Sequence, residues 1–136
     1  IIKELTYIVE MNLTVGLFMA AIGTFLGGIW ANESWGRYWG WDPKETWALI
    51  IVLYYAFVLH LRFIPKANGK YLFNVLSVLG LAVILMTYFG VNYYLSGLHS
   101  YAAGDPVPIP TFVPVTAGVV ALIAVAAYFR NKRVSN

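Results

Sequence analysis

Trp30-Ala-Asn-Glu-Ser-Trp35-Gly-Arg-Tyr-Trp39-Gly-Trp41-Asp-Pro-Lys-Glu-Thr-Trp47 is the stretch on which the reading of this chain turns. These eighteen residues contain all five tryptophans, and long apolar runs lie on both sides of them. The stretch is therefore expected at a membrane surface, as a broad aromatic platform interrupted by Gly36 and Gly40, where a flat ligand can approach the backbone. An aromatic belt also draws Trp to the headgroup zone. A belt, however, forms at both faces of a bilayer and on most helices, whereas here one connection takes every Trp and the other helix ends use Tyr and Phe. The platform reading is preferred.

Working outward, the whole composition agrees with a membrane setting. The chain has 136 residues, 60% hydrophobic and only 11% charged, against about a quarter charged in soluble domains. Its net charge of +3 is no nucleic-acid footprint, because the basic residues sit beside apolar runs, where they act as topology signals. The absence of cysteine excludes disulfides, thiolate metal sites and a thiol nucleophile within this sequence. The sequence opens on Ile1 without a signal-peptide pattern, and is expected to be part of something longer or a processed product.

The expected fold is all-α, an integral membrane protein with four spanning helices forming one membrane domain over residues 1–136. Spans are placed at about 11–30, 46–63, 71–94 and 111–129, each near the ~20 residues that cross the hydrocarbon core. Residues 1–10 read as a short amphipathic lead-in. Gly16, Gly23, Gly27 and Gly28 give the first span a small-residue face suited to close approach of a neighbouring helix. The Trp-rich loop is placed at 30–47, and a second loop at 95–110 carries His99 and several prolines. Asp42-Pro43-Lys44-Glu45 is a strong helix start: Asp42 can cap, Pro43 suits the first helical position, and Glu45 can complete a capping box. Arg62, Lys66 and Lys70 mark the turn after the second span, and Arg130, Lys132 and Arg133 the last segment. By the positive-inside rule that turn and both termini are cytoplasmic, and the Trp and His99 loops share the opposite face.

Only two histidines are available. His60 lies thirteen residues beyond Trp47, hence about 20 Å along a helix, and an ionisable group at that depth is a functional candidate. A bland alternative is a neutral His bonded to Tyr, Ser or Asn of another helix. His99 follows an apolar span directly, so it should lie close to the membrane surface at the height of the tryptophans. As an iron ligand it would want an acceptor for its other ring nitrogen; Ser100, Tyr101, a backbone carbonyl or Asp105 are candidates. Two histidines with an aromatic platform and few acids do not suit zinc, which wants three or four converging ligands. They do suit a flat aromatic ligand needing an axial nitrogen, namely haem.

The run Trp35-Gly-x-Tyr38-Trp39-x-Trp41-Asp42-Pro43-Lys44-Glu45-Thr46-Trp47 resembles the "WWD" signature of the haem-handling proteins of cytochrome c biogenesis. Leu59-His60-Leu61-Arg62, Gly90-Val-Asn-Tyr and Gly97-Leu98-His99-Ser100-Tyr101 resemble the CcsA (ResC) branch, specifically its C-terminal part. The resemblance implies that Trp35, Tyr38, Trp39, Trp41, Asp42 and Trp47 form a platform for haem, of b type and held non-covalently before transfer. It implies His99 as an outer axial ligand and His60 as an intramembrane one. The implied function is haem delivery and attachment to the CxxCH thiols of apocytochrome c, within a cytochrome c synthase (haem lyase) complex. The implied setting is the bacterial cytoplasmic membrane or the thylakoid membrane, with the loops on the extracytoplasmic or lumenal side. The resemblance departs in two respects: no His precedes the Trp loop, and no second His is present for the intramembrane site. Further ligands would come from a CcsB (ResB)-like partner or an N-terminal part. A haem exporter or chaperone resembling the CcmC or CcmF branches, or a b-haem electron-transfer subunit, are the alternatives. No residue is assigned as an acid–base catalyst.

Overall fold

In the computed structural model, which describes residues 1–67, 69–95, 97–99 and 108–135, helix is the only regular structure among the described residues. The elements are α1 (Ile2–Trp35), α2 (Pro43–His60) continued by a 3-10 turn (Leu61–Phe63), α3 (Lys70–Leu85), a π-helical turn (Met86–Gly90), α4 (Val91–Tyr94) and α5 (Phe112–Ser135). Four stretches are long and apolar enough to cross a membrane: Ile2–Trp35, Pro43–Phe63, Lys70–Tyr94 and Phe112–Arg133. The third of these is one continuous rod in which the π turn joins α3 to α4. The protein is all-α, with four helices of membrane-crossing length among the described residues.

α1 is longer than the sequence suggested. It runs through 34 residues, about 51 Å at the α-helical rise, so residues 2–10 belong to the same helix as the apolar run and not to a separate lead-in. Its far end absorbs Trp30 and Trp35, and it stops only at Gly36, whose φ of 71° is the left-handed C-cap conformation that closes helices. The Gly36 N–H returns to Asn32 O at 2.8 Å. The non-helical part of the Trp stretch is thereby reduced to residues 36–42.

α2 begins where its local sequence says it should. The Asp42 carboxylate accepts from Lys44 N at 3.2 Å, the Glu45 carboxylate accepts from Asp42 N at 3.1 Å, and Pro43 occupies the first turn, completing the capping box. Together these groups satisfy donors that the first turn of a helix leaves open.

The chain divides into two units, Ile1–Asp105 and Pro106–Asn136. In the first, α1, α2 and α3 pack on one another. Its interior is small: Val58 and Val91 are fully buried, with Ala31, Tyr55 and Leu61 nearly so. A Cβ on Gly80 would strike the rings of Tyr54 and Tyr55, so this glycine is what lets α3 close on α2. Tyr54 Oη then donates to Leu76 O at 2.8 Å. Asn74 Nδ2 donates to Thr6 Oγ1 at 2.9 Å, and Arg62 pairs with Glu10 at 2.5 Å, tying α3 and the end of α2 to α1. The outer surfaces are apolar, with Phe18, Phe25, Leu53, Leu81 and Phe89 all at least half exposed or close to it. An apolar surface of this extent belongs against lipid or another polypeptide. The second unit is the α5 helix, whose basic last turn holds Lys132 and Arg133.

Candidate functional site

The C-terminal end of α1, the 36–42 connection, the start of α2 and residues 97–99 come together at one end of the first unit. The connection is held by its own short-range bonds: Glu45 Oε2 accepts from Gly40 N at 2.7 Å as well as from Asp42 N. The Arg37 guanidinium lies over Gly40 so closely that a Cβ there would meet it. Trp41 takes a positive φ of 56°, a conformation costing a β-carbon residue of order 1 kcal/mol or more. Its ring is 70% exposed and stands edge-on to Trp39, with centroids 5.8 Å apart at 89°. The capping interactions at Asp42 and Glu45 hold this strained residue in place from its C-terminal side.

Asp42 is the hub. It is only 7% exposed, and its two oxygens reach beyond the helix cap to a segment 56 residues away. Oδ1 accepts from Leu98 N at 2.6 Å, and Oδ2 faces His99 Nδ1 at 3.1 Å. Because a carboxylate can only accept, His99 Nδ1 carries the proton and donates it. In the neutral ring, the lone pair then resides on Nε2. Gly97 permits the approach, since a Cβ there would collide with Asp42 Oδ1 and Pro43 Cδ. Lys44 Nζ adds a second tie, donating to Asn92 Oδ1 at 2.8 Å and to His99 O at 3.5 Å. Burial alone would raise the Asp42 pKa, but the bonds from Lys44 N–H, Leu98 N–H and His99 together outweigh it and hold the carboxyl below its ordinary value.

The imidazole of His99 packs edge-on against Trp35, centroids 4.6 Å apart at 86°, and lies 6.2 Å from Trp30. Trp30 and Trp35 are themselves T-shaped at 5.0 Å. Beside this group is an open cleft of about 350 Å³, with Gly23, Gly27 and Gly28 on one wall and Tyr38, Trp39 and His99 among the others. The glycine face expected to receive a helix thus borders this cleft. Gly23 and Gly27 have open space where a Cβ would be, and only Gly28 is approached, by Tyr38 O.

Of the residues singled out in the sequence, His99, Trp35 and Asp42 are in direct contact, and Tyr38 and Trp39 line the same cleft. Trp41 projects outward, and Trp47 sits in the second turn of α2, its carbonyl 3.4 Å from Thr87 Oγ1. His60 is elsewhere, in the last turn of α2. Its Nδ1 donates to Ala56 O of its own helix at 2.7 Å, and its ring is exposed beside Phe63. In place of the cross-helix partner of the bland alternative, His60 makes this intrahelical bond, which again leaves Nε2 with the lone pair. The sequence reading did not include Trp30, Lys44, Asn92 or Gly97 in the site. All four belong to the Trp-rich stretch or to the motifs shared with the CcsA branch, but nothing in their local spacing shows that they meet. Ser100, Tyr101 and Asp105, considered as acceptors for His99, lie outside the described residues. Among the described residues no cluster of three or more His, Cys, Asp or Glu side chains could hold a bare metal ion.

Residues 1–99 match the family model described as "Cytochrome C assembly protein". The chain belongs to this family. It is 62% identical over 107 residues to Protein NrfI of Wolinella succinogenes, an alignment covering 79% of this chain and 12% of that protein. It is 46% identical over 99 residues to the cytochrome c biogenesis protein CcsA of a Synechococcus species, covering 73% of this chain and 32% of the relative. The corresponding CcsA of Prochlorococcus marinus is 43% identical over 99 residues, covering 73% and 31%. The chain therefore spans about a third or less of the length of these curated relatives. The matched region contains the whole Asp42–His99 constellation and ends at His99 itself.

Proposed function

We propose that this chain is the haem-presenting part of a cytochrome c maturation system, with His99 as an axial ligand and the Trp-rich connection as its platform. The observation that carries this reading is the hydrogen bond from His99 Nδ1 to the buried carboxylate of Asp42. A carboxylate on one ring nitrogen fixes the tautomer and orientation of the imidazole and raises the basicity of the other nitrogen. The donor set fits haem on chemical grounds. A porphyrin supplies four nitrogens of its own, so the protein needs to add only one or two, in keeping with a site that offers one oriented His and no metal-binding cluster among the described residues. Tyr38, Trp39 and the glycine wall would give a flat apolar ligand something to lie against.

When bound, haem would supply the vinyl groups to which the cysteine thiols of an apocytochrome c CxxCH segment add. The protein's residues orient and shield. Asp42 holds the proton on Nδ1, Trp35 fixes the ring from its edge, and Lys44 anchors the backbone of the His99 segment. A second axial His would come from a CcsB-like partner or from a further part of the protein. His60, about 20 Å along α2 from Trp47, is too far to bind the same iron and would serve a separate intramembrane site. The proposed location is the bacterial cytoplasmic membrane or the thylakoid membrane, with the Asp42–His99 end on the extracytoplasmic or lumenal side.

The test is His99→Ala in the intact maturation complex. The protein should accumulate and insert normally, attachment of haem to a reporter cytochrome c should be abolished, and added imidazole should restore part of it. Maturation at the wild-type rate would make His99 an ordinary loop residue and defeat the assignment.

A further inference from the structure

A second cleft, of about 290 Å³, lies at the opposite end of the first unit, among the start of α1, the end of α2 and the start of α3. Its lining is a mixture of cations and apolar groups: Lys3, Arg62 and Lys70 with Tyr7, Phe73 and the carboxylate of Glu10. Glu10 is engaged by Arg62 at 2.5 Å. Neither Lys3 nor Lys70 forms an ion pair with a described residue. The cleft therefore holds three cations against one carboxylate that is already paired. The first turn of α3 opens beside it, Gly69 providing no side-chain cap. Apolar groups rim the same end, Phe63 being 68% exposed with the Arg62 guanidinium 4.9 Å from its ring centroid.

We propose that this cleft binds the phosphate of an anionic phospholipid headgroup, with Lys3 and Lys70 as its contacts and Arg62, braced by Glu10, as the third positive wall. Basic pockets between membrane-spanning helices, close to the bilayer surface, take anionic headgroups in this way. A soluble phosphate compound would use the same cations but has no acyl chain for the exposed Phe63 and Tyr7 surface. The apolar rim is what favours the lipid. The site lies on a different set of residues from the Asp42–His99 constellation and does not depend on the reading given to it.

The experiment is native mass spectrometry of the full protein in its complex, exchanged with equimolar phosphatidylglycerol and phosphatidylcholine. Retention of phosphatidylglycerol should exceed that of phosphatidylcholine by roughly tenfold or more, given the strength of Lys–headgroup attraction. The Lys3→Gln, Lys70→Gln pair should abolish the preference, and the Lys3→Arg, Lys70→Arg pair should keep it. Equal retention of the two lipids by the wild-type protein overturns the proposal whatever the variants do, and so does an unchanged preference in the glutamine pair. Displacement of the lipid by inorganic phosphate as readily as by added phosphatidylglycerol would assign the cleft to a soluble anion and overturn the lipid.

Discussion

Asp42 accepts from the Lys44 N–H in the first turn of its own helix, from the Leu98 N–H and from the His99 ring. Removing its charge while keeping its shape separates these duties. Asp42→Asn keeps an acceptor for the cap but weakens the bond to His99, and loss of such an outer partner typically costs 10- to 100-fold in ligand affinity. Haem retained by the purified complex should fall by roughly that factor while the amount of inserted protein changes little. Protonation should mimic the substitution. Because the carboxyl pKa is depressed in the folded protein, the stabilisation is fully present above the ordinary aspartate range and is lost as pH falls through and below it. A haem-retention profile against pH should show this acid loss in the wild-type protein and lack it in Asp42→Asn. The two roles of Asp42 differ in how well the sequence reveals them. Capping depends on residues two and three positions apart, so Asp-Pro-Lys-Glu displays it. The bond to His99 joins residues 57 apart, and no local spacing encodes it.

Among the elements, the 36–42 connection and α2 act as one piece, since Glu45 bonds back to Gly40 and Asp42 from inside the helix. The tryptophans were legible as a cluster, but their division was not. Trp30 and Trp35 extend α1 and pack with His99, whereas Trp39 and Trp41 pack with each other on the connection. Propensity places a helix end only loosely; here Gly36 decides it through its left-handed conformation. If the second pair forms the platform, Trp39→Ala with Trp41→Ala should lower haem retention severely, each stacking ring contributing on the order of 1–3 kcal/mol, while the helical content stays constant. Full haem in that variant would leave an aromatic belt as the better account. α2 supports a separate prediction at its other end. His60→Gly should reduce total haem and recover part of it with imidazole. A packing role would instead give less protein, indifferent to imidazole.

For the molecule as a whole, the apolar runs announced four spans, because a bilayer imposes one minimum length on every crossing. The reading of residues 1–10 as a short lead-in missed that residues 2–10 extend α1, since a lead-in and a helix start share the same mixed composition. The alternation of α1, α2 and α3 brings Lys3, Arg62, Lys66 and Lys70 to one end and Asp42 with His99 to the other. The positive-inside rule predicts a cytoplasmic location for the first end. Single cysteines at Ser34 and Lys66 of this cysteine-free sequence test that orientation. An impermeant thiol reagent outside the membrane should label the first and spare the second, and the reverse labelling would overturn the proposed orientation of the Asp42–His99 end. One further consequence follows from the π-helical turn at Met86–Gly90. A π turn amounts to one residue inserted into an α-helix, and each residue advances a helix by about 100°. Without it, the rest of the rod would be out of phase: Asn92 would swing away from Lys44, and Leu95 would leave the rod on a different side. A single supernumerary residue thus sets the angular phase of the rod's last turn, and with it the side from which Asn92 meets Lys44 beside the Asp42–His99 pair.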